Sequence, residues 1–263
     1  MTDSKFDDMP RRAWGEVLKG LVFLPYHGAL ITSRRVEEYM KFMRFRADRI
    51  AYGYDSLSLE RIRGLAETEP APRGVPFSSR HFSVISGFGT EERLPSVIDG
   101  YALYAKKSSN PRPLHLFGIG ALEARLREKV TSLELDELIV FRGTVRSHSC
   151  SRALASTLAL LLVGAEEQSR LVVIKAQALG VPVIYSPESG ARDEILRSGI
   201  NGFLIGPDDP EGLAFFMDLV ASNRALWERV ATEALKAANQ GDVSRFAAGV
   251  GQLCGARAFD AKF

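Results

Sequence analysis

From residue 82 onward, short apolar runs alternate with amphipathic stretches, and this alternation restricts the fold more than any other feature of the chain. The apolar runs are 82–85, 113–117, 138–141, 157–163, 181–185 and 202–205. Stretches of helical character lie between them at 94–107, 121–129, 148–155, 171–179 and 191–197. Six buried-type strands separated by helices imply an α/β, Rossmann-like, mostly parallel sheet with helices on both faces. Ligands of such sheets bind beyond the carboxyl ends of the strands.

Ahead of this region the chain reads as helix, short strand, helix, strand and helix up to Glu69. Gly28-Ala-Leu-Ile-Thr-Ser33 is a short apolar strand whose last residue is suited to cap a helix starting at Arg34. In Glu69-Pro-Ala-Pro-Arg-Gly-Val-Pro76, three prolines and a glycine interrupt any helix or central strand. The expected division is a small α/β segment over 1–69, a linker over 70–76, the Rossmann-like domain over 77–222, and C-terminal helices over 223–263.

With 46% hydrophobic and 25% charged residues, the 263-residue chain has enough apolar material for one good-sized core. Its longest apolar run, 158–163, is far short of the ~20 residues of a membrane-spanning helix, and the start MTDSKFDDMP carries no apolar signal region. The expected location is the cytoplasm, at the inner face of the membrane if the chain touches lipid. Cys150 and Cys254 are far apart and neither belongs to a CxxC pair, which argues against a disulfide framework and a zinc site. A net charge of +2 gives no reason to expect nucleic acid as a partner. One basic stretch, Arg34 to Arg49, interleaves aromatic residues. Val36, Tyr39, Met40 and Met43 share one helical face, which leaves Phe42 and Phe45 among the bases. That face suits peripheral contact with an anionic membrane, although a solvated helix face is the simpler reading.

Three strand-end turns carry candidate chemistry. Gly118-Ile-Gly120 follows a strand and opens a helix, where backbone N–H groups face an approaching anion. Glu123 stands where the third glycine of a dinucleotide fingerprint would fall, which argues against NAD. Pro187-Glu-Ser-Gly-Ala191 offers Ser189 and Gly190 at the start of another helix. Glu166-Glu-Gln-Ser-Arg-Leu is an acidic turn running into a helix, followed by Ala178-Leu-Gly-Val-Pro-Val183.

The order of these motifs resembles the family-4 retaining glycosyltransferases of GT-B fold. The resemblance includes 82–104, the strand–GxG–helix of 114–123, Phe141-Arg-Gly-Thr-Val145, Ser189-Gly190 through Glu194, and Gly199-Ile-Asn-Gly-Phe-Leu204. Upstream, Ile31-Thr-Ser-Arg-Arg35 to Gly53-Tyr-Asp55 is similar to the end of that family's acceptor-side domain, so 1–69 resembles a truncated remnant of it. The resemblance implies a nucleotide-sugar donor held by Arg93, Gly118, Gly120, Arg142, Gly143, Thr144, Ser169, Arg170, Leu171, Lys175, Ser189 and Gly190, with Glu167 as the catalytic carboxylate. No cofactor or metal is implied. The implied acceptor is a glycan or a lipid-linked sugar, and the missing acceptor side would come from a separate chain or a second copy.

Several positions depart from the family pattern. The arginine and lysine that meet the donor diphosphate correspond to Gly87 and Glu92, and the aromatic and glycine after the first glutamate to Ser169 and Arg170. The second glutamate, eight positions after Glu167, is Lys175. An ammonium offers only donors, whereas the ribose hydroxyls there require an acceptor. These changes leave two expectations, a hexosyltransferase-type enzyme or a non-catalytic homologue acting as a binding or regulatory subunit. The paired sign reversal also suggests an ion pair between Glu92 and Lys175.

Overall fold

The computed structural model describes residues 13–90, 93–164, 169–187 and 195–255. Its elements are α1 (Ala13–Phe23), β1 (Ala29–Ile31), α2 (Arg34–Phe42), β2 (Ile50–Tyr52), α3 (Leu59–Ala66), β3 (His81–Ile85), α4 (Leu94–Lys107), β4 (Leu114–Phe117), α5 (Glu123–Ser132), β5 (Ile139–Gly143), α6 (Ser147–Ala155), β6 (Thr157–Leu162), α7 (Ser169–Ala178), β7 (Val183–Tyr185), β8 (Gly202–Leu204), α8 (Pro210–Ser222), α9 (Arg224–Ala238) and α10 (Val243–Cys254). By packing, the described residues fall into two units, Leu59–Asn239 and 13–58 together with 240–255.

In the larger unit all six strands are parallel, in the order β5-β4-β3-β6-β7-β8. β6, Thr157-Leu-Ala-Leu-Leu-Leu162, is buried at every position because it is an interior strand covered on both faces. The chain moves outward from β3 to β5, crosses back through α6 to β6, and then moves outward the other way. The order therefore reverses between β3 and β6, the place where such sheets hold ligands. Phe82, Val84, Leu114, Leu116 and Ile139 put one face of the sheet into a core shared with Val97, Ile98 and Tyr101 of α4 and Leu213 and Met217 of α8. Trp227 of α9 is fully buried in the same core, its indole N–H donating to the Leu158 carbonyl at 2.8 Å.

The smaller unit is built on β1 and β2, which are parallel. Ser33 caps α2 as its position predicts, its Oγ accepting the Val36 amide at 3.2 Å. Val36, Tyr39, Met40 and Met43 are buried, the face their spacing indicates. Phe42 is exposed among the bases, but Phe45 is not, because it packs edge-on against Phe23 at 5.9 Å.

Two sequence expectations need correction. The proline-rich segment 70–76 is not a linker between the units. Ala71 is buried in the core of the larger unit, and its amide donates to the Leu179 carbonyl at 2.9 Å. The break comes at Ser58, α9 belongs to the core rather than to an appended tail, and α10 joins the first unit. The helix expected over 191–197 also differs. Residues 191–194 lie outside the described residues, and 195–197 are not helical. Their backbone groups are held by side chains instead: Gln177 Nε2 and Asn201 Nδ2 donate to the Ile195 carbonyl, and the Arg197 amide donates to Asn201 Oδ1. Next to it, a Cβ on Gly202 would lie 2.4 Å from the Val183 carbonyl oxygen, so only glycine lets β8 approach β7 here. Other strand and helix ends shift by one to three residues, an ordinary uncertainty of element boundaries. Among the described residues, no helix is long and apolar enough to cross a membrane.

Candidate functional site

At the carboxyl ends of β3, β4 and β5 the loops are stitched together by their own backbones. The Ser86 amide donates to the Phe117 carbonyl at 3.1 Å, the Phe88 amide to Ile119 at 3.0 Å, and the Leu122 amide to Phe88 at 3.1 Å. The Gly118 amide donates to the Gly143 carbonyl at 2.9 Å. Phe88 anchors the rim from below, buried and edge-on to Phe141 at 6.1 Å.

The glycines of Gly118-Ile-Gly120 follow from this stitching. A Cβ on Gly118 would lie 1.9 Å from the Ser86 carbonyl oxygen, and one on Gly120 would lie 2.5 Å from that of Phe88. One of the turn's amides is thereby committed within the protein. The Gly118 N–H is already bonded to Gly143, and α5 starts only at Glu123, whose amide bonds the Gly120 carbonyl at 3.2 Å. The turn acts as a spacer that lets two loops touch. Gly118→Ala is expected to cost about 2–3 kcal/mol, because the 86–88 loop must retreat and strain its hydrogen bonds. A urea-denaturation midpoint unchanged by the substitution would show that the loops are not held in this way.

At the switch point the β3 loop leads into α4 through Arg93, whose backbone is left-handed (φ 49°, ψ 30°) and whose carbonyl accepts the Ser96 amide at 3.0 Å. Arg93 is thereby placed where the end of β3 meets a helix N-terminus, a favourable position for negative charge. Gly87 is exposed, and a Cβ there would meet nothing within 4 Å. Among the described residues, nothing in the packing demands a glycine at that position.

On the other side of the switch point, Ser186 ties β7 to β6: its amide donates to the Leu162 carbonyl at 3.0 Å and its Oγ to the Val163 carbonyl at 2.8 Å. Ser186 is fully buried and was not singled out by sequence reasoning, since a serine after a strand looks like an ordinary turn residue. Arg170 and Leu171 are half-buried in the first turn of α7. Lys175, further along α7, is also half-buried. Burial pushes the Cys150 thiol of α6 up, and the charge of Lys175 acts against that push.

Arg142 turns across the sheet, its Nη2 3.2 Å from His115 Nε2. Thr144 is exposed on the same β5 loop. Glu92, Glu167, Ser189 and Gly190 lie outside the described residues, as does the side chain of Ser169. The structure thus brings Gly118, Gly120 and Gly143 into one rim, with Arg93 at its β3 end and Arg170, Leu171 and Lys175 on the helix that follows β6. Among the described residues, no cluster of histidine, cysteine or carboxylate side chains is suited to hold a metal ion.

Residues 85–223, the stretch that contains this rim, match the family model of the group 1 glycosyl transferases. The chain belongs to that family. It is 24% identical over 223 residues to WcaL of Escherichia coli (strain K12), provisionally named as a colanic acid biosynthesis glycosyltransferase. That match takes in 75% of this chain and 54% of the relative, so the chain spans about half of the relative's length. Among solved structures, an S. aureus TarM mutant in complex with fondaparinux, α-GlcNAc-glycerol and UDP matches with a TM-score of 0.72 at 15% identity, covering 95% of this chain and 48% of TarM. The C-terminal domain of the group 1 family protein LpcC from Francisella tularensis matches with a TM-score of 0.58 at 18% identity, covering 70% of this chain and 96% of that domain. The parallel sheet with helices on both faces is the GT-B architecture of these group 1 transferases.

Proposed function

We propose that this group 1 chain is the nucleotide-sugar-binding half of a retaining, family-4 glycosyltransferase acting on a glycan or lipid-linked acceptor. The observation that carries the reading is the switch point itself. The loop after β3, with Arg93, and the helix after β6, with Arg170 and Lys175, flank the place where a sheet of this topology binds its ligand. In this reading the donor's diphosphate faces Arg93, Arg170 and the N-terminus of α4, which offset charge as the leaving group departs, while Lys175 lies beside the ribose. Glu167 holds the hydroxyls of the sugar, and Ser189 and Gly190 approach the diphosphate from the β7 side. Thr144 and Gly143 face the nucleotide base. The reaction needs no metal or cofactor, because cations and helix dipoles supply the charge stabilisation. The solved TarM complex, which holds UDP and α-GlcNAc-glycerol, supports a nucleotide-sugar donor and a glycosyl acceptor as the ligands of this reading.

A second reading, a non-catalytic subunit that binds a nucleotide sugar without transferring it, is favoured by one specific feature. Gly87 and Lys175 both depart from the donor-binding pattern, and among the described residues a Cβ at Gly87 would meet no atom within 4 Å. Titration calorimetry with UDP, GDP and ADP tests the shared claim. One nucleotide is expected to give saturable heat, and the absence of heat with all three would overturn both readings. Glu167→Ala separates them: loss of sugar transfer with nucleotide binding intact supports the enzyme, and unchanged cellular glycan output supports the binding subunit.

A further inference from the structure

At the opposite end of the sheet, the amino ends of β3 and β4 border a pocket of about 300 Å³ lined by Ser78, Ser79, Arg80, His81, Arg112 and His115, with Asn110 at its edge. No carboxylate lines it among the described residues. Arg80 is 1% exposed, and among the described residues its guanidinium donates only to main-chain carbonyls: Nε to Val75 at 3.1 Å, Nη1 to Ala155 and Thr157 at 3.0 Å each, and Nη2 to Arg73 at 3.3 Å. Carbonyl dipoles satisfy its hydrogen bonds but do not neutralise its charge, and a buried charge without an opposite one is costly. Burial alone draws its pKa down, to about 10, with no carboxylate acting the other way. Arg112 is half-buried above the Phe77 ring at 5.2 Å and donates to the Ser78 carbonyl.

The histidines add a second, independent sign. His81 is 8% exposed and its Nε2 is buried without a hydrogen-bond partner. Its ring lies 3.7 Å from that of His115, whose Nε2 faces Arg142. Burial first, then His115, Arg142 and Arg80, push His81 down to about 3; burial and then Arg142 push His115 down to about 4. The pocket therefore has an excess of positive charge, and one of its lining residues carries an orphaned ring nitrogen, an arrangement native proteins seldom leave without a role.

We propose that this pocket binds a small phosphate-type oxyanion, at a site separate from the nucleotide-sugar rim. An oxyanion supplies what the wall lacks, negative charge beside Arg80 and Arg112. Arg112, Ser78, Ser79 and Asn110 offer donors at the mouth, while Arg80, whose donors are committed to carbonyls, contributes charge. The volume is at the lower end of ligand sites, ~300–1,000 Å³, and suits a phosphate group better than a nucleotide. The site does not depend on the donor function proposed above.

The test is an NMR titration of the full chain that follows the ring resonances of its four histidines, His27, His81, His115 and His148. Sodium phosphate and glycerol phosphate are compared with sodium chloride at matched ionic strength. Phosphate is expected to shift His81 and His115 saturably while His27 and His148 stay in place. Arg112→Gln is expected to weaken this binding at least tenfold, and Asn110→Asp, which puts a carboxylate at the mouth, is expected to abolish it. Tighter binding of glycerol phosphate assigns the site to a phosphomonoester, and equal or weaker binding assigns it to the free ion. The proposal is overturned if chloride produces the same shifts, if all four histidines move together, or if both folded variants bind as the parent does. A failure of UDP to bind leaves these resonances as they were, so the two proposals fail separately.

Discussion

Trp227→Ala is expected to destabilise the larger unit by about 3–5 kcal/mol, the range for removing a fully buried aromatic side chain. Three losses coincide at this position. The cavity left behind is walled by the core of β3, β6 and α4 and cannot collapse without moving the sheet. The Leu158 carbonyl loses the indole N–H that satisfies it at 2.8 Å. The ring that packs beside Phe77 at 5.1 Å, and over which the Arg80 guanidinium lies at 4.8 Å, disappears from under a buried charge. For a unit of this size the melting temperature should fall by roughly 10 °C. Equilibrium urea denaturation of the full chain, followed by circular dichroism, reads the loss. A change below about 1 kcal/mol would mean that α9 is not integral to the core. Trp227→Phe, which keeps most of the packing and loses only the hydrogen bond, should cost less than half as much.

The second large effect is a gain. Gly87→Arg/Lys175→Glu is expected to bind UDP at least tenfold more tightly than the parent chain. An arginine at 87 enters open space at the end of β3, where a Cβ meets no atom within 4 Å. Charge-assisted hydrogen bonds to a diphosphate are worth about 1.5–3 kcal/mol, equivalent to roughly 10–100-fold in affinity. A carboxylate at 175 restores an acceptor for the ribose hydroxyls, which an ammonium cannot provide. Gly87→Arg alone should give most of the gain, with Lys175→Glu adding to it only in the double variant, because both groups contact one ligand. Calorimetric titration of the four proteins forms the cycle. If neither single nor double variant gains affinity, the switch point is not a nucleotide site of this kind.

A good part of this molecule is written in local patterns. The six apolar runs between 82 and 205 correspond to six parallel strands because each run must be covered on both sides and the intervening helices do the covering. The Ser33 cap and the buried face of α2 were also legible, since capping and helical periodicity depend on residues within one or two turns. The order of motifs resembled the family-4 glycosyltransferases, and residues 85–223 match the group 1 glycosyl transferases. Features decided by contacts between distant segments were not legible. Pro70–Pro76 looks like a boundary in the chain, yet Ala71 is held in the core by Leu179, more than a hundred residues away. Asn201 turns 195–197 away from helix through side-chain bonds that no periodicity announces.

The same distinction runs through the candidate sites. Residue types alone showed the missing charges at Gly87 and Lys175, because a glycine or an ammonium has a fixed hydrogen-bonding capacity wherever it is placed. They did not show that Gly118 and Gly120 serve a backbone contact with Ser86 and Phe88, or that Arg80, His81, Arg112 and His115 surround one pocket. Those outcomes rest on the register of β3 against β4 and on the amino-terminal loops that the register brings side by side. By itself, then, the sequence determined the sheet and its helices through local periodicity, and the family through the resemblance carried by the order of its motifs. Tertiary structure decided which glycines touch and which charges are buried without an opposite, because these depend on the alignment of separate strands and not on neighbours in the chain.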